Sequence, residues 1–374
     1  MSILIGADIV PSACNRGLFV NADVSALVGD DLVNVLGGAD YRVFNLETPL
    51  TDVFSPIKKC GPALCADRLT IAGIKKLGAN LLTLSNNHIM DQGENGLMST
   101  IDVLEKNNIS YLGAGKNLFE SKKSFIADIK EKKVGFYACT EHEFSIAEEK
   151  VPGANPFDPL ESFDDVSKLS KMCDFVIVLY HGGKEDYQYP SPMLQRVCRK
   201  FVENGANLVV CQHSHCIGCE EKFANGTIVY GQGNFLFSDC DKPIEQTSLL
   251  IKITENMSVE YIPLLKIEKG VRLACGDAAE KILTDFKKRN EQIKEDSFVV
   301  NEYKKFASTM LKKYLLTCSG YGQKKILRIM NRLTGGLLSK RILNPYNKKE
   351  LLAIQNYLEC EAHRELWVEG LKNV

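Results

Sequence analysis

The chain has 374 residues, of which 45% are hydrophobic and 25% are charged, and its formal net charge is -1. A chain of this length and composition can fold into one large globular domain with an appendage, or into two domains. The near-neutral charge argues against a surface that binds nucleic acid or membrane throughout, and we expect no nucleic-acid partner.

Three features indicate the compartment. The first eight residues have neither the basic region nor the long apolar region of a signal peptide, and they predict a strand. No stretch approaches the roughly 18 consecutive apolar residues of a transmembrane segment. The thirteen cysteines are an odd number spread along the chain, which is typical of reduced thiols. We therefore expect a soluble, cytoplasmic protein.

The first part of the chain alternates strands with helices. Apolar runs, helical periodicity and turn residues predict strands at 3–10 and 41–44, a strand starting at 81, and a strand pair at 124–130 and 133–139. The same patterns predict helices at 23–37, 67–77 (capped by Asp67) and 96–106.

The second part continues this alternation and then changes. An amphipathic segment at 158–172 and a helix at 192–204 are interleaved with strands at 174–180, 207–211 and 227–230, and a hairpin follows at 247–254 and 258–265. After this hairpin, only helical periodicity is found, and it predicts helices at 277–293, 296–317, 321–333 and 347–371. We predict an α/β domain over residues 1–270 and a helical extension over residues 271–374.

Residue types that bind metals lie near or directly after the carboxyl ends of five of the predicted strands. These residues are Asp8, Glu47, Asn87 with His88, His181, and His213 with His215. The chain has six histidines, and four of them lie at these strand ends. Because ligands bind at the carboxyl ends of strands in open α/β sheets, we expect these side chains to converge. Carboxylate, imidazole and amide ligands suit divalent Mn, Fe, Zn or Mg.

Each strand end also has a simpler explanation. The segment from Asn86 to Asp91 can form a polar turn, a histidine can bond to a backbone carbonyl, and Glu47 can be a solvated carboxylate. All five strand ends together favour a metal site.

Cys216 and Cys219 suggest zinc or redox chemistry, but no second cysteine pair lies at zinc-ribbon spacing, so incidental thiols are the better interpretation.

The motifs and their order resemble a known family. They are Asn45-Leu46-Glu47, Asn86-Asn87-His88 with Asp91, His181-Gly182-Gly183, His213-Ser214-His215 and Gly233-Asn234-Phe235. Over roughly residues 3–265 the chain resembles the bacterial capsule-synthesis family typified by CapA, a branch of the calcineurin-like metallophosphoesterases. The resemblance implies a four-layer α/β/β/α sandwich, followed here by the C-terminal helices.

The resemblance also implies roles for individual residues. The two divalent metal ions would be held by Asp8, Glu47, Asn87, His181, His213 and His215. The catalytic candidates are His88 and Asp91, and His88 would protonate the leaving-group oxygen. The candidates for substrate contact are Asn45, Asn86, Gly183 and Asn234. Three positions depart from the wider superfamily: Asp8 lacks the usual histidine two residues later, Glu47 replaces a bridging aspartate, and Gln212 occupies a place where glycine is common. These departures leave open a site with one metal ion, or an inactive one.

The function we predict is metal-dependent hydrolysis of a phosphoester during synthesis of a capsular or other surface polymer. One alternative is a non-catalytic accessory protein that binds a growing anionic polymer, such as poly-γ-glutamate, or its ligase. Another is an amidase that cleaves γ-glutamyl links.

Residues 301–349 contain twelve lysines and arginines and one acid, Glu302. A solvated helical face explains most of this excess, and peripheral contact with a polyanion, an anionic membrane surface or an acidic partner is the alternative.

Overall fold

The computed structural model describes residues 1–237, 242–321 and 324–372. The chain divides into two compact units, Met1–Val300 and Asn301–Val374. The first unit contains both sheets and the predicted strand ends, and the second consists of helices.

The strands of the first unit follow the predicted order, with several short additions. They are β1 (Ile3–Val10), β2 (Tyr41–Leu46), β3 (Leu81–Thr83), β4 (Ser110–Leu112), β5 (Ala114–Gly115), β6 (Phe125–Ile129), β7 (Lys132–Thr140), β8 (Gly153–Ala154), β9 (Phe175–His181), β10 (Leu208–Gln212), β11 (Glu220–Phe223), β12 (Gly226–Tyr230), β13 (Leu236–Phe237), β14 (Thr247–Ile253), β15 (Val259–Ile267) and β16 (Gly270–Leu273).

The helices lie between these strands and after them. They are α1 (Arg16–Val20), α2 (Val24–Val28), α3 (Asp30–Gly37), α4 (Ile71–Lys76), α5 (Gly93–Lys106), α6 (Leu118–Ser121), α7 (Ser162–Ser170), α8 (Pro192–Glu203), α9 (Gly276–Gln292), α10 (Phe298–Cys318), α11 (Lys325–Leu333), α12 (Leu337–Leu343), α13 (Lys348–Glu359) and α14 (Glu361–Lys372). Short 3₁₀ turns occur at Arg68–Thr70 and Pro243–Glu245.

Two large sheets form the framework of the first unit. The first has the strand order β16-β15-β14-β1-β2-β3-β4, with β13 also pairing with β1, and the second has the order β11-β12-β10-β9-β7-β6. The central strands β1 to β4 are parallel, and so are β7, β9, β10 and β12. Parallel strands end at the same edge of their sheet, so each sheet presents its carboxyl-terminal loops together.

The sheets pack face to face, with helices on both outer surfaces. One buried apolar cluster joins residues of the two sheets, such as Ile5 and Val43 with Phe136, Ile177 and Val210. A second cluster packs the outer face of the first sheet against α2 to α5, and a third packs the outer face of the second sheet against α7 and α8. The fold is therefore the predicted four-layer α/β/β/α sandwich.

Two boundaries differ from the prediction. The helix predicted at 23–37 is divided into α2 and α3 at Gly29, whose φ of +80° is incompatible with a continuous helix. Helix α9 belongs to the first unit, because Ile282 and Phe286 pack in one cluster with Ile217 and Leu249. The compact unit therefore ends at Val300 and not near residue 270. That residues 271–374 act as a separate functional extension stays a prediction.

The second unit is helical from α10 to α14, and most of its side chains are exposed. In the described parts of the chain, no helix is both long enough and apolar enough to cross a membrane.

Close packing around β1 gives a first prediction. A Cβ atom at Gly6 would lie 2.3 Å from Cδ1 of Phe44, whose buried ring stacks on Phe235 with 5.1 Å between the ring centroids. We expect Gly6→Ala to lower the free energy of unfolding by about 1–3 kcal/mol, because overpacking displaces the ring. Chemical denaturation measures this change.

Gly17→Ala is the matched control. No described atom lies within 4 Å of a Cβ built at Gly17, which is in α1. Alanine favours a helix over glycine, so we expect no loss of stability. A Gly6→Ala variant as stable as the Gly17→Ala variant would contradict the packing described here.

Candidate metal centre

The strand order brings the predicted site residues to one edge of the sandwich. Asp8 lies in β1 opposite Asn45 of β2, and Glu47 follows β2 directly. In the second sheet, His181 ends β9 and is paired with Gln212, the last residue of β10, which His213 follows. The carboxyl ends of both sheets therefore contribute to one site.

The described residues contain two groups of possible metal ligands. One group is Glu47, His181 and His213, and the other is Asp8, Glu47 and His215; within each group the ligand atoms all lie within 4.8 Å of one another. Glu47 belongs to both groups. This is the position that a carboxylate bridging two cations would occupy, as the resemblance implied.

Asn87 completes the arrangement around His181. Its Oδ1 lies 3.0 Å from Nε2 of His181, and the same Nε2 lies 3.2 Å from Oε1 of Glu47 and 3.1 Å from Nδ1 of His213. Three potential ligand atoms thus lie within 3.2 Å of Nε2 of His181, and all six predicted metal ligands lie in this centre.

The carboxylates of Asp8 and Glu47 are buried with too few hydrogen-bond partners. Asp8 and Glu47 have no solvent exposure. Oδ2 of Asp8 and Oε2 of Glu47 accept no hydrogen bond from any described residue, and Oε1 of Glu47 has Nε2 of His181 at 3.2 Å. Buried charges are normally paired or bound to metals, because an unpaired buried charge is costly. These orphaned oxygens fit a cation.

Burial and neighbouring charges shift the pKa values of the ligands in the metal-free centre; although burial opposes the shift, Glu47 raises the pKa of His181. Burial, reinforced by Glu47, raises the pKa of Asp8 to about 7. Burial opposes ionisation of Glu47 too, but the charge of His181 outweighs it and lowers the pKa of Glu47 below its usual range. Burial and the neighbouring His181 hold the pKa of His213 well below its usual value, so this ring is neutral, as a metal ligand must be.

Backbone strain marks the loop after β10. His213 has a φ of 90° and His215 a φ of 57°, and residues other than glycine rarely adopt these left-handed conformations. Such strain is characteristic of functional sites, where it costs about 1–3 kcal/mol per residue. The ring of His215 is oriented by Asn234, whose Oδ1 lies 2.9 Å from Nδ1 of the histidine.

Asn45 and Asn86 belong to neither ligand group, but they form hydrogen bonds that position residues of the centre. Asn45 donates to Oδ1 of Asp8 at 2.7 Å, and its own Oδ1 accepts from Thr83 and Asn86. Asn86 also accepts from the backbone N–H of His88. Both asparagines are fully buried. The geometry therefore supports a positioning role for them, and the predicted contact with substrate has no support in it.

His88 and Asp91 form the predicted pair beside the ligands. Nδ1 of His88 lies 2.6 Å from Oδ2 of Asp91, and the histidine side chain keeps 12% of its surface exposed while Asp91 has none. Asp91 also accepts from Nζ of Lys59 at 2.6 Å. Lys59 is almost fully buried and was not predicted, because it lies in an irregular segment without periodicity or a motif.

Two further acids, Glu141 and Glu143, follow β7 and were also missed. Glu143 accepts from Nδ2 of Asn87 at 3.2 Å, which turns the amide oxygen of Asn87 toward His181. Burial raises the pKa of Glu141, although the N–H of Gly183 donates to it and opposes the shift. Gly183 itself has a φ of 104°. The sequence does carry a signal for these acids, because they directly follow the predicted strand β7, as the other site residues follow theirs.

Cys216 and Cys219 lie near the centre without joining it. Both are buried, and neither belongs to a ligand group among the described residues. Burial raises the pKa of Cys216 to about 12 and raises the pKa of Cys219 as well. Protonated, inaccessible thiols are poor metal ligands and nucleophiles, which supports the interpretation as incidental thiols.

Comparisons with known proteins agree with the motifs. The family described as "Bacterial capsule synthesis protein PGA_cap" matches residues 5–239. The chain is 29% identical over 180 residues to the capsule biosynthesis protein CapA of Bacillus anthracis, covering 46% of this chain and 44% of the relative. It is 28% identical over 210 residues to the PGA biosynthesis protein CapA of Bacillus subtilis (strain 168), covering 54% of each. The matched region thus spans about half the length of these curated relatives.

Solved structures are also similar to this chain. A phosphatase from Mycoplasma pneumoniae matches 71% of this chain and 93% of its own length, with 13% sequence identity and a TM-score of 0.44.

The unusual ionisation of Asp8 gives a second prediction. Its carboxyl has a pKa of about 7 in the folded protein against 3.8 in the reference state. Between about pH 4 and 7 the folded chain holds a proton that the unfolded chain releases, so rising pH destabilises the metal-free protein. We expect metal-free Asp8→Asn to exceed the wild type in unfolding free energy at pH 8, by on the order of 1–3 kcal/mol, and to match it near pH 4.

Denaturation of the chelator-treated proteins across this pH range measures the difference. Asp128→Asn, which changes an exposed aspartate of β6, is the control and should follow the wild type at every pH. A metal-free Asp8→Asn variant less stable than the wild type at pH 8 would contradict the account of the buried carboxylates.

Proposed function

The chain belongs to the bacterial capsule synthesis family, and we propose that it is a metal-dependent hydrolase of phosphoesters that acts in the synthesis of a capsule or another surface polymer. The observation that carries this proposal is the pair of buried ligand groups that share Glu47. Two ligand groups with a common carboxylate would suit two divalent cations, the arrangement of many phosphoester hydrolases.

The ligand groups indicate which residues would hold each cation. Asp8 and His215 would hold one, His181, His213 and Asn87 would hold the other, and Glu47 would contact both. When bound, such cations activate water and neutralise charge that develops at phosphorus. Carboxylate, imidazole and amide ligands suit Mn, Fe, Zn or Mg.

The protein itself supplies the proton for the leaving group. Asp91 receives Nδ1 of His88 on one carboxylate oxygen and Nζ of Lys59 on the other. This fixes the imidazole ring and leaves Nε2 for the substrate. A protonated His88 can then donate from Nε2 to the departing oxygen. Asp91 stabilises the positive charge on this imidazole ring and sets the orientation of the ring. The buried asparagines Asn45 and Asn86 keep the ligands in place during this step.

The family and the charge of the centre support a proposal for the substrate class. The Bacillus subtilis relative is named a PGA biosynthesis protein, and we propose that this chain likewise acts on an anionic polymer or a phosphoester intermediate of its synthesis. A partner ligase is part of this proposal. Two cations would attract such a negatively charged substrate to a centre that is otherwise lined with acids.

A third prediction tests the metal centre and the proton donor separately. After reconstitution with Mn²⁺, we expect elemental analysis to find metal in the wild type and in His88→Asn, and less metal in His213→Ala, which removes a ligand. Hydrolysis of bis(p-nitrophenyl) phosphate should fall about 10²–10⁴-fold in His88→Asn, the usual contribution of a general acid.

His363→Ala is the control, because it changes an exposed histidine of the second unit and should alter neither measurement. Failure to bind Mn, Fe, Zn or Mg would contradict the hydrolase. Unchanged turnover in His88→Asn would contradict the role of this residue. Metal-dependent release of glutamate from a γ-glutamyl peptide without phosphodiester cleavage would favour the amidase.

A further inference from the structure

Helix α11 exposes an apolar stripe that a helix of a globular protein normally buries. Ile326, Ile329, Met330 and Leu333 are 73%, 52%, 45% and 81% exposed. Their spacing of i, i+3, i+4 and i+7 places them on one face of the helix. Leu337, at the start of α12, is also exposed. The apolar surface therefore continues beyond the helix.

Basic side chains accompany this stripe, which we call the α11 stripe. Arg328 and Arg332 lie on the polar side of the helix, and Lys324, Lys340 and Arg341 flank it, all exposed. From residue 303 to residue 349 the sequence has twelve lysines and arginines and no acid. The sequence on either side of the α11 stripe is thus basic and free of acids over residues 303–349.

The combination of apolar and basic groups indicates which kind of ligand would bind the α11 stripe. A soluble polyanion would pair with the charges but leave four large apolar side chains in water. An interfacial helix with a basic polar face inserts its apolar side about 5–10 Å into the boundary between head groups and acyl chains, and lysine and arginine reach back to the head groups. Anionic lipids therefore match both parts of this surface.

We propose that the α11 stripe binds the surface of membranes that contain anionic phospholipids. Its role is independent of the metal centre and would bring the protein to the site where a surface polymer is assembled. A nine-residue helix buries few side chains, so binding is reversible and also depends on the flanking charges. It should weaken as salt screens the attraction, because such attraction extends over about one Debye length.

Vesicle flotation with the full-length chain tests this proposal. The vesicles contain phosphatidylcholine alone, or phosphatidylcholine with about 30% phosphatidylglycerol as the anionic lipid. We expect the wild type to float with the anionic vesicles only. The double variant Ile326→Ser with Leu333→Ser should lower the partition coefficient at least about tenfold, because two inserted side chains are lost. Arg328→Gln with Arg332→Gln should reduce the preference for anionic vesicles.

Leu160→Ser is the matched control, because Leu160 is 83% exposed but lies in the first unit; it should bind as the wild type does. Since all substituted side chains are exposed, circular dichroism should show unchanged folding. The proposal is wrong if the wild type does not float with anionic vesicles, or if both double variants float as the wild type does. It is also wrong if the Ile326 and Leu333 variant dissociates a dimer in sedimentation without affecting flotation.

Discussion

The buried carboxylates of Asp8 and Glu47 are the constraint on which the rest of the structure depends. Neither carboxylate is exposed to solvent, and Oδ2 of Asp8 and Oε2 of Glu47 accept no hydrogen bond in the described part of the protein. A fold can maintain such a site only if apolar packing elsewhere compensates for its cost. Three large apolar clusters, one between the sheets and one on each outer face, provide this packing. A cation bound there would offset part of the cost of the buried carboxylates.

Three of the six candidate ligands are each held by a second residue, and these contacts help to set the geometry of the centre. Asn45 holds Asp8, Glu143 holds Asn87 and Asn234 holds His215. Partners of this kind fix the orientation of metal ligands and tune their basicity. The left-handed backbone at His213 and His215 shows that the loop after β10 is also constrained. The centre is therefore preorganised by the protein.

Much of this arrangement could be predicted from the sequence, because its signals are local. Buried strands appear as apolar runs, so the strand ends at Asp8, Glu47, His181 and His213 could be located and expected to meet. The matched family confirms the resemblance. Lys59 could not be found, because its burial depends on tertiary contacts with Asp91 and no pattern marks it. The break at Gly29 and the packing of α9 were missed for a similar reason, since helical periodicity does not reveal a positive φ or a docking surface.

The most direct test of the central claim is anomalous diffraction from crystals grown with Mn²⁺, recorded on both sides of the manganese absorption edge. We expect two anomalous peaks about 3.5–4 Å apart, one beside Asp8 and His215 and one between His181 and His213, with Glu47 between them. A single peak that Glu47 contacts would reduce the centre to one metal. The absence of any peak within reach of Glu47 would contradict the metal centre and the function proposed from it.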